Sequence, residues 1–273
     1  MKLKALFSIF RMKTAEGFQY RLAGIAGATT SIFWVLVEIT VYRVFYTYAN
    51  NNTAGILAGL TLNQLISYSW LTQLVFLMQP MSIDSDIQSK IESGNIALEL
   101  CRPLDLYTHW FAKLTASRLT PLFWRGSLVI LVGMLMPASY RLGPPASLIN
   151  LILMLLSFFS ALFLCTTYGV LMCVVRMGIT WGNGPTYMLM LIGGVLSGAY
   201  LPLQLWPDSW QRFLLLQPFA GYLDIPLRLY VGSMSPQTAF AAITLQWVWT
   251  LIFILLGKFL LVRRLKTIVV QGG

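Results

Sequence analysis

The sequence predicts an all-α polytopic membrane protein: six transmembrane helices, an N-terminal amphipathic interfacial helix, a helical cytoplasmic segment and short external re-entrant helices. Three observations lead there. The chain is 57% hydrophobic and 10% charged, whereas a soluble globular domain carries roughly 25% charged residues, and its mean hydropathy is +0.71. It breaks into six apolar runs, most of them close to the ~20 residues that cross a bilayer as a helix. Its Lys and Arg residues fall mostly on one side of those runs. A length of 273 residues leaves no room for a separate soluble domain, so residues 1–273 read as one transmembrane domain.

The first element, within residues 1–20, is an amphipathic helix over 2–16. Leu3, Leu6, Phe7 and Phe10 follow the i, i+3, i+4, i+7 spacing of an apolar stripe, and Lys2, Lys4, Arg11 and Lys13 flank it. Such a helix lies in the headgroup layer and contacts membrane lipids, its basic side chains snorkelling to phosphates. A cleaved leader is the alternative and is not expected: the apolar run after Arg21 is too long, and no small-residue cleavage site closes it.

The six spans are expected at about 22–46, 57–80, 119–137, 147–175, 184–204 and 238–262. The fourth exceeds the crossing length, so it tilts or projects. Lys2, Lys4, Arg11, Lys13 and Arg21 precede span one; Lys90, Arg102, Lys113 and Arg118 follow span two; Arg176 follows span four; Arg263, Arg264 and Lys266 follow span six. Only Arg141, Arg212 and Arg228 fall on the other side, with Arg43, Arg125 and Lys258 near span ends and uncounted. The bias puts both termini and the 82–118 segment in the cytoplasm. It also accounts for the net charge of +10, so no nucleic-acid partner is expected. Cys101, Cys165 and Cys173 form no C-x-x-C pair, and the two inside an apolar run read as small apolar fillers.

Outside the membrane, residues 47–56 and 138–146 are short connections. Residues 205–236 are different. Pro202, Pro207, Pro218, Pro226 and Pro236 punctuate a run rich in Leu, Phe, Trp and Tyr. Asp208/Arg212 and Asp224/Arg228 are i, i+4 pairs of the kind short helices bring together, and Trp206, Trp210, Tyr222 and Tyr230 suit an interfacial belt. Two short helices on or dipping into the outer leaflet are expected; backbone at that depth must be covered by protein or line a wet cavity.

The densest polar chemistry lies between spans two and three, where Asp84, Asp86, Glu92, Glu99 and Asp105 are five of the nine acids. Ser82 or Asp84 can cap a helix of about ten residues. Ile83, Ile87 and Ile91 make an apolar ridge on it, Asp86 and Lys90 an i, i+4 pair, and Gly94 a left-handed stop. A helix this short is not stable alone in water, so the ridge is expected to dock on a partner. Arg102 before Pro103 favours an extended link, and Asp105 can cap a second helix bearing Leu106, Trp110 and Leu114.

The pattern Ile91-Glu-Ser-Gly-Asn-Ile96 leading into Leu100-Cys-Arg-Pro-Leu104 resembles the cytoplasmic coupling segment of permease subunits of type-2 ABC exporters, and in particular of six-span bacterial permeases associated with efflux of drugs, antibiotics and other amphiphilic compounds. The resemblance covers nearly the whole chain. It implies that two permease halves form a pathway over two ATPase subunits, which bind ATP and Mg, and that the segment between spans two and three inserts into the ATPase. On that resemblance Asp84, Asp86, Ile87, Lys90, Ile91, Glu92, Ser93, Gly94, Arg102 and Pro103 form the coupling element. The second permease is identical or different, with a heterodimer preferred, and the location is the bacterial cytoplasmic membrane. No G-x-x-x-x-G-K-[S/T] loop occurs in the chain, so nucleotide chemistry of that kind belongs to a separate subunit. No catalytic residue, cofactor or metal site is expected in this chain, and His109, beside Trp110, reads as an interfacial histidine.

Two features within the spans complete the reading. Glu38, five positions before Arg43, is an intramembrane carboxylate and hence a functional candidate: with Arg43 it is either part of the substrate pathway or a structural partner between helices. Asn63, Gln64 and Gln73 read as interhelical hydrogen-bond partners, and Gly194-x-x-x-Gly198 as a close-approach face between permease halves. A stand-alone secondary carrier is the alternative, but it calls for an internal repeat with paired broken helices, and the two halves show none. An intramembrane enzyme would need a companion for Glu38.

Overall fold

The computed structural model describes residues 2–19, 21–49, 56–57, 59–78, 83–100, 105–179 and 182–266. The chain enters as α1 (Lys2–Gln19), which lies along a later helix, and passes into α2 (Arg21–Ala49). Phe7 and Phe10 of the expected stripe are exposed and half-buried; the side chains of Lys2, Leu3 and Leu6 lie outside what is described. A two-residue hairpin, β1 (Ile56–Leu57) with β2 (Leu60–Thr61), is the one departure from all-α among the described residues. Tyr46 ties α2 to it by donating to the Leu60 carbonyl at 2.6 Å.

α3 (Leu62–Phe76) starts on a reciprocal cap in which Thr61 and Gln64 satisfy each other's backbone. Its fifteen residues rise about 22 Å, short of the expected second span. Two short helices follow, α4 (Ser85–Glu92) and α5 (Ile96–Leu100). α6 (Leu106–Pro121), a π turn (Leu122–Gly126) and α7 (Ser127–Leu135) then form one unbroken helical stretch.

That continuity corrects the expected boundary at 119. The helix capped by Asp105, which accepts from the Thr108 amide at 3.0 Å, is the first part of the helix expected as span three rather than part of a loop. The π turn follows Pro121, which has no N–H for the i−4 carbonyl; widening the turn absorbs the misfit without a break. Arg118, counted as a loop cation, is buried inside this base. Its guanidinium donates to the carbonyls of Met78 (2.8 Å) and Leu114 (3.2 Å), and Gly169 of the next helix supplies the room, since a Cβ there would overlap the guanidinium.

α8 (Leu148–Arg176) is the core helix, capped by Ser147 and 29 residues long as expected. α9 (Gly184–Leu196) is shorter than the fifth span was expected to be. After a 3-10 turn (Leu203–Leu205) comes α10 (Asp208–Leu216), a second 3-10 turn (Pro218–Gly221), α11 (Asp224–Val231) and α12 (Pro236–Leu265). Four helical stretches are long and apolar enough to cross a membrane, 22–48, 106–135, 148–176 and 236–265; the segments expected as spans two and five form shorter helices. α12 and α11 pack on α8, α11 also on α3, and α2 on α3.

The two short helices expected on the outer side separate in character. α10 presents Trp210, Phe213 and Leu216 outward, and Asp208 forms no ion pair with Arg212 among the described residues. α11 is wholly buried in protein: Asp224 bridges to Arg228 at 2.5 Å and accepts from the Tyr68 hydroxyl at 2.9 Å. Pro202 and Pro218 open the two 3-10 turns, and Pro207 stands at the start of α10.

The glycine pair does not make the expected helix face. α9 ends at Leu196, and Gly198 lies beyond it with φ +86°. A Cβ there would meet the Tyr68 hydroxyl at 3.1 Å and Leu203 at 3.2 Å, so Gly198 is a left-handed stop packed inside its own chain. Gly194 is buried in the same chain.

Candidate functional site

The end of the helix bundle that holds α4 carries a connected set of charges centred on that helix. Asp84 caps α4, accepting from the amides of Asp86 and Ile87, both at 3.1 Å. Ser93 closes the helix, and Gly94 stands after it at φ +73°. Lys113 reaches from α6 and donates to Asp84 and to Asp86, each at 2.6 Å. Lys90 joins Asp86 to Glu99 of α5, both at 2.8 Å, and the Trp110 indole donates to Glu99 at 2.9 Å. At the other end Glu92 accepts from Arg176, the last residue of α8, at 2.9 Å and from Gln88 at 2.9 Å. α4 is therefore fastened to two long helices by opposite ends.

These partners set the charges. Burial raises the Asp86 carboxyl, but hydrogen bonds from Lys113 and Lys90 outweigh it and bring it down to about 2. Glu99 follows the same pattern: burial raises it, and Lys90 and Trp110 lower it more. Burial lowers the Lys90 ammonium, and its bonds to Asp86 and Glu99 raise it above its ordinary value. Gln88 and Arg176 hold Glu92 down. Asp86, Glu92 and Glu99 are therefore held as carboxylates, and Lys90 as an ammonium, through the neutral range.

The isoleucine ridge points the other way from expectation. Ile87 is 1% exposed and Ile83 9%, and Ile91 is half-buried against the same core. α4 packs this ridge on α8, because Lys113 and Arg176 pull the helix against the ends of their own spans. What α4 leaves open is a polar face of Ser85, Ser89, Glu92 and Ser93. Arg102 and Pro103, like Ser82 and Cys101, lie outside the described residues.

Glu38 and Arg43 do not come together. Arg43 stacks on the Tyr140 ring at 4.7 Å, while Glu38 accepts from Tyr42 at 3.2 Å and lines a groove of ≈ 470 Å³ with Gln73 of α3, Tyr200 and Arg125. Arg125 comes from the π turn and donates to Ser31 through Nε (3.1 Å) and Nη2 (2.6 Å). Gly24 and Gly27 on α2 make room for it: Trp124 and Arg125 lie over them, and a Cβ at Gly27 would meet the guanidinium at 3.2 Å. Gln64 donates to the Val231 carbonyl at 2.9 Å, an interhelical bond as expected.

A family model described as ABC-2 family transporter protein matches residues 32–272. No curated protein and no solved structure matches the chain.

Proposed function

This chain belongs to the ABC-2 family of transporter proteins, a multi-pass membrane component whose family implies ABC ATPase partners, and we propose that it is the permease half of an ATP-driven exporter for an amphiphilic substrate. Two ATPase subunits carrying ATP and Mg bind beneath it in the bacterial cytoplasmic membrane, and a second permease, preferably a different one, completes the pathway. Both termini and α4 face the cytoplasm.

The observation that carries this reading is α4 itself. It is a capped eight-residue helix held by Lys113 to span three and by Glu92 to the end of α8. An ordinary loop has no need of such fastening. A helix pushed by a closing ATPase dimer does, because force on a loosely held helix would be lost in local rearrangement. The contact surface is then the polar face around Ser85, Ser89, Glu92 and Ser93, with Asp84, Asp86 and Lys90 holding it in place and Ile87 and Ile91 seating it.

The test is purification of the tagged chain followed by crosslinking from cysteines at Ser89 and at Ile87. The expected result is a copurifying subunit that hydrolyses ATP and crosslinks from 89 and not from 87. If no ATP-hydrolysing subunit comes with the chain, and the chain alone transports under an ion gradient, the carrier alternative replaces this reading.

A further inference from the structure

The groove beside Glu38 holds one cation and one carboxylate, and neither is ion-paired. Among the described residues no acid lies within 4 Å of Arg125 and no Lys or Arg within 4 Å of Glu38. The guanidinium rests on the Ser31 hydroxyl, and the carboxylate accepts from a phenol. Both sit well inside spanning helices, where an ionisable side chain is costly and is retained at pathways and binding sites. Arg125 also lines a second cavity of ≈ 470 Å³ on the cytoplasmic side, together with Lys13, Asp84, Asp86 and Ser117. One guanidinium thus stands where a cavity beside the inner surface meets a groove at membrane depth.

We propose that this groove binds a zwitterionic amphiphile, its anionic group on Arg125 and its cationic group at Glu38. The proposal rests on the transport reading above and names the substrate class. Ser31, which marks the level of the guanidinium, and Glu38 are seven residues apart on one face of α2, about 10 Å along the axis. A charge-assisted contact of about 2.8 Å at each end leaves about 4–5 Å between the ligand's own charged groups. That is the span of a phosphodiester joined to an ammonium through two carbons. A ligand with only a cation leaves Arg125 without an anion, and one with only an anion leaves Glu38 without a counter-charge, so each loses one charge-assisted contact. The tail has a place as well: Trp34, Val37 and Phe76 line the groove, and Trp34, Val37 and Val41 are exposed on the outer face of α2.

The test uses the full chain in maltoside micelles and a lysophosphatidylcholine carrying a diazirine in its acyl chain. Photolabelling is expected on α2 between residues 34 and 41. Unlabelled lysophosphatidylcholine should compete at least tenfold better than dodecyl phosphate, dodecyltrimethylammonium or tail-less glycerophosphocholine. Arg125→Gln and Glu38→Gln should each lower labelling tenfold or more, and Arg125→Lys should restore most of it. Equal competition by a singly charged or tail-less compound overturns the proposal without any variant being made, as does unchanged labelling in both Gln variants. Labelling that fails while an ATPase still copurifies removes the groove assignment alone. Labelling that holds while no ATPase copurifies removes the exporter reading alone.

Discussion

Replacing Lys113 by Met should undock α4 from span three without unwinding it. The lysine side chain is 4% exposed and makes two hydrogen bonds of 2.6 Å to carboxylates. A hydrogen bond to a charged group contributes about 1.5–3 kcal/mol. Asp86 is 46% exposed, so solvent reduces its share to about 1 kcal/mol or less. Methionine keeps the apolar stem, and Asp84 keeps its cap to the Asp86 and Ile87 amides, so the loss of about 2–3 kcal/mol falls on docking. The readout is maleimide labelling of a cysteine at position 87, where Ile87 is 1% exposed, with the three native cysteines replaced. When opening and closing are fast, labelling follows the open population, so the rate should rise about 30- to 150-fold. A cysteine at Ser89, already exposed, should label at the same rate with either residue at 113. A change under about threefold at 87 would refute the claim that Lys113 holds α4 down.

Acid should loosen the same contact in a defined window. A carboxylate brought down to about 2 from 3.8 contributes stability that is complete above about pH 4 and lost as the pH falls through about 2. Cleavage of the 83–105 segment by pepsin, scaled to an unfolded control, should stay constant from pH 5 to about 4 and then climb, and Asp86→Asn should remove that step. At the alkaline end the raised Lys90 ammonium keeps its contribution in place until the pH passes about 10.5. Asp224→Asn removes one partner of a buried pair at 2.5 Å and should cost about 3–5 kcal/mol, read as a fall in the thermal midpoint that replacing Arg228 by Met in the same chain partly reverses. Gly94→Ala and Gly232→Ala both place a side chain at positive φ, +73° and +76°, each costing about 1–2 kcal/mol. At Gly232 the new Cβ also comes 2.5 Å from the Ala146 Cβ, while at Gly94 it meets nothing within 4 Å; equal melting losses in the two variants would contradict that geometry.

The helix ends were legible because they are decided locally. Asp84, Asp105 and Ser147 each cap the helix that follows, and Gly94 stops one in the left-handed region; a side-chain oxygen or a missing Cβ acts within a few residues of itself. The direction of the Ile83, Ile87, Ile91 ridge was not legible. Periodicity shows that a face is apolar and says nothing of what covers it, and here the cover is α8, brought into place by Arg176, 84 residues away from Glu92. The groove was half legible. Glu38 stood out as an acid in an apolar run, but its counterpart, Arg125, was set aside as a span-end charge, because nothing local shows that Pro121 opens a π turn there or that Gly24 and Gly27 make room for the next two side chains.

The same unbroken helix that hides those features also connects them. Leu106–Leu135 carries Lys113, which grips α4, and Arg125, which stands in the groove. Twelve residues separate them, about 18 Å along the axis. Under the proposed coupling, a push on α4 enters this helix at Lys113 and arrives at Arg125 with no loop between to dissipate it. The π turn lies between Pro121 and Ser127, where the widened ladder makes the helix easiest to bend. Arg125 is within that turn, so a small change of bend there moves the guanidinium relative to Ser31 and Glu38 on α2. A substrate held by both charges would therefore be loosened at one of them when α4 moves.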